Sequence, residues 1–183
     1  MTNDQESSLV IRASTFVIPN ESEATMSIQA EIERELKRIQ AVSGRGLLQI
    51  DRDAGRIEAD LLAVDAIGCA FQTLGFSTQK LADASLDELR AISETLTGKL
   101  TYLLEPIGMV EADADRCSVQ LRSNPPQKGE DATSYYELMV RRGGDITLSR
   151  YSKKSGQLRQ IVPAHVTREV LGRLADDFLT AVP

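Results

Sequence analysis

Apolar residues recur at helical spacing in two separate stretches of the chain. The first stretch, Ser27–Val42, has charged residues on one face and apolar residues on the other, at Ile28, Ile32, Leu36 and Ile39. The second stretch, Ser85–Thr97, opens with Ser85 and Glu88 at the spacing of a capping box, in which each side chain bonds the other residue's free backbone N–H. The pattern predicts two amphipathic helices.

A strand pattern interrupted by a turn follows the first predicted helix. Gly44 and Gly46 favour the end of that helix. Leu47–Ile50 and Arg56–Asp60 are short strand patterns, and Asp51–Gly55 between them is rich in turn residues. The segment is therefore predicted to form a β-hairpin.

Leu61–Phe76 fits two patterns at once. A helical face would contain Leu61, Val64, Ile67, Phe71 and Leu74. Ile67, Cys69 and Phe71 also alternate as in a strand, and Gly68 and Gly75 weaken a helix. We expect a helix here, with a strand as the alternative.

The second half of the chain alternates between short strand patterns and turns. The strand patterns are Leu100–Leu104, Ile107–Glu111, Cys117–Arg122, Tyr135–Arg141, Ile146–Tyr151 and Gln157–Val162. Pro106 has no N–H, so the strand around it is expected to be an edge strand or to be bulged there. Gly143-Gly144 predicts a short hairpin and Ser123–Thr133 a long polar loop. Pro163 predicts the start of a terminal helix.

These elements predict an α+β fold. We expect a single domain over residues 26–183, in which an antiparallel meander sheet of about four to seven strands carries helices on one face. Residues 26–98 would form a helix-hairpin-helix part, and residues 99–183 the meander with the C-terminal helix. Residues 1–25 are polar and are expected to form a flexible or weakly ordered tail, or to add one edge strand. Translation from Met1 and from Met26 both fit the pattern.

Composition narrows the class of protein. Of the 183 residues, 42% are apolar, which suffices for a hydrophobic core. The formal net charge of −6 opposes binding to phosphate backbones, so nucleic acid is disfavoured as a partner. No apolar run spans a bilayer and no secretion signal opens the chain, so we expect a cytoplasmic protein without membrane contact. Cys69 and Cys117 are expected to be buried thiols.

No motif for catalysis, a metal or a cofactor emerges from the sequence. His165 is the only histidine, and the chain has neither a G-x-S-x-G elbow nor a phosphate-binding loop. The acidic segments Asp51–Gly55 and Glu111–Asp115 resemble calcium loops, but the turn glycine and the final glutamate are misplaced or absent. Both segments are predicted to be turns. We therefore expect no catalytic residue, no metal and no cofactor.

One side of the predicted meander carries the candidate site. Arg and Tyr favour recognition because they contribute planar area with fixed donors, and Arg122 with Arg141 would suit a carboxylate. The candidate partner- or ligand-binding residues are Arg122, Tyr135, Glu137, Arg141, Arg150 and Tyr151. The same face is also compatible with an ordinary solvated surface that has cross-strand pairs such as Glu137 with Arg122.

Two functions remain open at this point. The first is a non-enzymatic protein-binding or adaptor module whose partner is another protein, a second copy of the chain or both. The order of helices and strands is similar to that of small acidic secretion chaperones, which implies a chaperone-like role. The second is a binder of small anionic ligands, or an enzyme of unfamiliar type that uses Glu and Tyr on the same sheet face.

Overall fold

The computed structural model describes residues 26–183, which form three α-helices and ten strands. The helices are α1 (Ile28–Val42), α2 (Leu86–Lys99) and α3 (Arg168–Ala181). Ser27 caps α1, since its hydroxyl accepts a hydrogen bond at 3.2 Å from the backbone N–H three residues on. Ser85 and Glu88 form the predicted capping box of α2. The expected tail over residues 1–25 lies outside the described residues.

The ten strands form one antiparallel sheet. They are β1 (Gly46–Arg52), β2 (Gly55–Val64), β3 (Gly68–Ser77), β4 (Ile107–Asp113), β5 (Ser118–Ser123), β6 (Gln127–Lys128), β7 (Ala132–Arg141), β8 (Asp145–Lys154), β9 (Gln160–Val162) and β10 (Ala164–Thr167). Seven of them follow the order β1-β2-β3-β8-β7-β5-β4, while β10 pairs with β3, β6 with β7 and β9 with β8. The predicted α+β class is confirmed.

The predicted meander lies in the second half of this sheet. β4, β5, β7 and β8 are neighbours in the sheet in their order along the chain, and β4 is the edge strand. The tight turn at Gly143-Gly144 joins β7 to β8, whose pairing begins with Arg141 opposite Asp145. The expected polar loop over Ser123–Thr133 contains the short strand β6, which pairs with the start of β7.

The helix expected over Leu61–Phe76 is wrong. β2 and β3 cover this stretch and pair with each other from Arg56–Ser77 to Val64–Cys69. Asp65 shapes the turn between them, because its Oδ1 accepts hydrogen bonds from the backbone N–H groups of Ile67 at 2.8 Å and Gly68 at 2.7 Å. Four of the apolar residues at helical spacing are buried on these strands, namely Leu61, Val64, Phe71 and Leu74, whereas Ile67 is 79% exposed in the turn. Strand pairing satisfies the backbone on both sides of β3.

Two further boundaries differ from the prediction. Leu100–Leu103 is a short 3₁₀ helix directly after α2 and not a strand. The last helix begins at Arg168 and not at Pro163, since the intervening residues form β10 and Thr167 caps α3 with its hydroxyl. Pro163 separates β9, which pairs with β8, from β10, which pairs with β3. Proline has no N–H to donate to either ladder, so it stands where pairing changes from one strand to the other.

The helices and one side of the sheet share a single core. α1 packs against α3 and β1, α2 against β4 and β5, and α3 against β3. Fully buried aromatic side chains fill the space between the layers, at Phe71, Phe76 and Phe178. Among residues 26–183, no helix packs on the other side of the meander.

Candidate functional site

β7 directs alternate side chains to the two sides of the sheet. Tyr136, Leu138 and Val140 join the core beneath the helices. The opposite side, called the outer face here, carries the residues between them and their in-register neighbours on β5 and β8: Gln120, Arg122, Tyr135, Glu137, Met139, Arg141, Thr147, Ser149 and Tyr151. The outer face therefore gathers polar and aromatic side chains from three adjacent strands.

Glu137 lies at the centre of the outer face and is only 5% exposed. Its Oε2 atom accepts three hydrogen bonds: at 2.6 Å from Gln120 Nε2, at 2.9 Å from Arg122 Nη2 and at 2.5 Å from Arg159 Nη1. Arg159 lies in the segment between β8 and β9. Two cations from different elements thus converge on one buried carboxylate.

These contacts decide the charge of Glu137. Burial raises the pKa of its carboxyl, because a charged group loses hydration in the protein. Hydrogen bonds from Arg159 and Arg122, together with the positive charge of Arg159, outweigh burial and hold the pKa below its ordinary value. Glu137 is therefore ionised at neutral pH.

Two tyrosines form the base on which the arginines lie. Tyr135 and Tyr151 face each other across β7 and β8, with ring centroids 5.9 Å apart and 21° between the ring planes. The guanidinium of Arg122 lies 4.6 Å from the centroid of Tyr135, and that of Arg159 lies 4.2 Å from the centroid of Tyr151. These five residues, Arg122, Tyr135, Glu137, Tyr151 and Arg159, are called the Arg–Tyr cluster below.

Four of the six sequence-predicted site residues belong to the Arg–Tyr cluster, and two do not. Arg141 lies further along β7, where its Nη1 donates to Asp145 Oδ2 at 2.5 Å and to Thr147 Oγ1 at 3.2 Å. It therefore does not form a clamp with Arg122. Arg150 lies on the helix side of the sheet, 4.6 Å from the ring centroid of Tyr136.

Arg150 has its own partners on the helix side. Its Nη1 donates to Glu105 Oε1 at 2.7 Å, and its Nη2 donates to Gln127 Oε1 at 2.6 Å. Strand alternation alone argues against grouping Arg150 with Tyr151, since neighbouring residues point to opposite sides.

Arg159 is the cluster residue that the sequence reasoning missed. It follows a turn, outside any regular strand, and no periodicity links it to Glu137. Its only sequence signal is its place within the predicted strand Gln157–Val162, in a stretch rich in Arg and Lys.

An open groove of about 720 Å³ lies beside the Arg–Tyr cluster. Arg122 and Tyr135 of the cluster line it together with residues 108–110 of β4, and residues 123, 124, 126, 128–133 and 153–155 contribute the rest. The volume is in the range of sites that hold a drug-sized ligand or a short segment of polypeptide.

The remaining candidates fall outside the outer face. His165 is exposed on β10, where it lies opposite Ala70. Cys69 and Cys117 are buried free thiols, as expected.

Among residues 26–183, no group of three or more His, Cys, Asp or Glu side chains is arranged to hold a metal ion. None of the three helices described is both long and apolar enough to cross a membrane.

No family model, curated protein or solved structure matches the chain.

Proposed function

We propose that this protein is a non-enzymatic protein-binding module that uses the outer face of β5, β7 and β8 as its recognition surface. The Arg–Tyr cluster carries the proposal. Its two guanidinium groups lie over tyrosine rings and are joined through Glu137, and their side chains remain 33% and 40% exposed. Arginine and tyrosine held in this way lose little conformational entropy on binding, which is typical of the residues that dominate protein interfaces.

The state of Glu137 favours binding over acid–base chemistry. A general base needs a pKa near the working pH. The pKa of Glu137 is lowered, and its Oε2 already accepts three hydrogen bonds. This carboxylate is suited to hold two arginines in place, and an enzyme of unfamiliar type built on it has less support.

The location of the free space also supports a binding role. The groove beside Arg122 and Tyr135 is open to solvent and, at about 720 Å³, exceeds the clefts of about 360 and 530 Å³ on the helix side. A partner would therefore meet the molecule on the side opposite the helices. We propose a cytoplasmic partner protein, or a second copy of the chain in a homodimer, as the occupant of this face.

Affinity capture from the native cell extract tests the proposal, with wild-type protein compared with Arg122→Ala and Tyr151→Ala variants. The wild type is expected to retain a stoichiometric partner. Either variant is expected to bind that partner at least about tenfold more weakly. Arg116→Ala is the matched control, because Arg116 is 85% exposed at the β4–β5 turn, away from the cluster. Light scattering on the purified protein determines whether the partner is a second copy.

Two results would contradict the proposal. One is a monomer that recovers no stoichiometric protein from the extract. The other is a partner that Arg122→Ala and Tyr151→Ala leave bound as tightly as Arg116→Ala does, since binding would then occur elsewhere on the molecule.

A small anionic ligand is the second candidate, and the basic side chains around the groove support it. Arg122, Lys128 and Lys153 line the same space. A thermal-shift screen with carboxylates and phosphates tests this candidate, since a ligand present at 100 times its Kd stabilises the fold by about 2.7 kcal/mol. If no carboxylate or phosphate raises the melting temperature, the small-ligand candidate loses its support.

A further inference from the structure

We infer that the groove beside the Arg–Tyr cluster binds an extended, acidic segment of the partner protein. This inference rests on the proposed protein-binding function and names the chemistry of the partner. Four cationic side chains line the groove, Arg122, Lys128, Lys153 and Lys154, against two anionic ones, Glu130 and Asp131. The chain as a whole carries a formal charge of −6, whereas the charged side chains that line the groove have a positive sum.

The three lysines of the groove differ from the other lysines of the described residues in their bonding. Lys37 pairs with Glu33 at 3.4 Å and Lys99 with Asp177 at 3.4 Å, while Lys80 donates to the backbone oxygen of Pro183 at 2.8 Å.

Within residues 26–183, the ammonium groups of Lys128, Lys153 and Lys154 form neither an ion pair nor a hydrogen bond, and all three residues are exposed. Every described lysine without a partner thus lies at this one groove. Their charges are available to carboxylates of another molecule.

Strand register places two of these lysines in one row. Lys128 on β6 and Lys153 on β8 both lie opposite Thr133 of β7, so the three residues extend across adjacent strands. With strands about 4.8 Å apart, the two lysine backbones are separated by roughly 10 Å. An extended segment rises by about 3.3 Å per residue and directs every second side chain to the same face, so carboxylates on one face lie roughly 7 or 13 Å apart. Lysine side chains have flexible four-carbon stems and can adjust to either spacing. The row is suited to several carboxylates in succession.

A second part of the groove wall is apolar. Met109 and Val110 of β4 are 40% and 56% exposed, and both line the groove. Tyr135 also lines the groove but is only 7% exposed. A segment that presents carboxylates to the lysines and an apolar side chain to β4 would satisfy both walls. An isolated inorganic anion would leave the apolar wall uncovered.

Fluorescence anisotropy tests the inference with a labelled nonapeptide of alternating glutamate and serine that has one central leucine. Saturable binding is expected, weakening as salt is added because the attraction is screened. The same peptide with lysine in place of glutamate is expected not to bind. Inorganic phosphate, added as a competitor, reports whether a small anion alone occupies the site.

Charge-reversal variants locate the binding. Lys128→Glu, Lys153→Glu and Lys154→Glu combined are expected to weaken binding of the acidic peptide about tenfold or more, because each pair changes from attraction to repulsion. The control combines Lys37→Glu, Arg38→Glu and Arg116→Glu, which changes the net charge equally at exposed positions away from the groove. The control is expected to bind the peptide within about twofold of wild type. Circular dichroism melts establish that both triple variants remain folded.

The outcomes separate this inference from the proposed function. Absence of peptide binding, or equal losses in the two triple variants, would overturn the acidic-segment assignment. Displacement by inorganic phosphate at concentrations comparable to the peptide would assign the site to a small anion instead. Another outcome is a captured partner whose binding depends on Arg122 but is unaffected by the lysine reversals and by salt. That result would support the protein-binding function and overturn only the acidic-segment inference.

Discussion

Tyr135 and Tyr151 stack across β7 and β8 with their ring centroids 5.9 Å apart, and each ring is covered by a different arginine. Both arginines also donate to Glu137, which is 5% exposed. One buried carboxylate therefore orients two cation–π pairs at once. The arrangement predicts that Glu137 acts on stability and on recognition through the same contacts.

Glu137→Gln is expected to lower the free energy of unfolding by about 1–3 kcal/mol at pH 7, because two half-buried arginines lose their counter-ion. The pKa of Glu137 is lowered in the folded protein, so its contribution to the free energy of unfolding is fully present above its pKa in the unfolded chain, about 4.3. This contribution is lost as the pH falls through the lower pKa that Glu137 has in the folded protein. The difference between wild type and variant should therefore shrink below about pH 4.

Urea unfolding followed by far-UV circular dichroism at several pH values measures this difference, and the method does not rely on tryptophan, which the chain lacks. Glu94→Gln is the matched control, since Glu94 is exposed on α2. A difference between wild type and Glu137→Gln that stays constant from pH 7 to pH 3 would refute the assigned role of the charge.

Arg168 joins the first turn of α3 to two other elements. Its Nε donates to the backbone oxygen of Asp65 at 2.9 Å and its Nη1 to Glu33 Oε1 at 3.1 Å, with the side chain only 9% exposed. A cation at a helix N-terminus is opposed by the helix dipole, so these contacts must outweigh that repulsion.

Arg168→Met is expected to lower the free energy of unfolding by about 2–3 kcal/mol, because the methionine fills space but leaves the Asp65 carbonyl without its donor. Arg38→Met, at an exposed position on α1, is expected to change stability by less than about 0.5 kcal/mol. Chemical denaturation of the two variants compares them directly. Equal stabilities would show that Arg168 does not hold α3 in place.

The β7–β8 turn offers a matched pair of glycines. Gly143 and Gly144 have φ angles of 95° and 109°, which side-chain-bearing residues rarely adopt. A Cβ at Gly144 would lie 2.5 Å from the backbone oxygen of Thr78, whereas a Cβ at Gly143 would meet nothing within 4 Å.

Alanine at either glycine is expected to cost about 1–3 kcal/mol for the backbone conformation. Gly144→Ala is expected to cost roughly 1–3 kcal/mol more, because Thr78 must move away. Thermal melts of the two variants measure the difference. A Gly143→Ala variant as unstable as Gly144→Ala would mean that the close approach to Thr78 is unimportant.

The cysteines are expected to be inert in the folded protein. Burial raises the pKa of the Cys69 thiol to about 11, so at pH 7 only about one thiol in ten thousand is ionised and nucleophilic. Cys117 is also buried. Iodoacetamide followed by mass spectrometry should detect alkylation only as urea unfolds the chain. Rapid labelling in buffer would indicate that the core around these cysteines opens readily.

Local sequence patterns were sufficient wherever the interacting residues are close along the chain. The two residues of the capping box, Ser85 and Glu88, are three positions apart, and the Gly143-Gly144 turn joins adjacent strands, so both were predicted correctly. Leu61–Phe76 was predicted wrongly because its helical spacing and its strand alternation are equally good locally. The strand is favoured over the helix because β3 pairs with β8 and β10, which lie far along the chain.

The sequence by itself determined the fold class, the amphipathic helices, the meander and the side of β7 that carries Tyr135 and Glu137. Only the tertiary structure decided that Arg159 completes the cluster and that Arg141 lies apart from it. It also decided that the lysines without a partner among residues 26–183 line the same groove as Arg122. Hydrophobic periodicity indicates which side of a single element is buried. Which side chains from different elements come together depends on strand register and on the paths of loops, and both are set by packing of the whole chain.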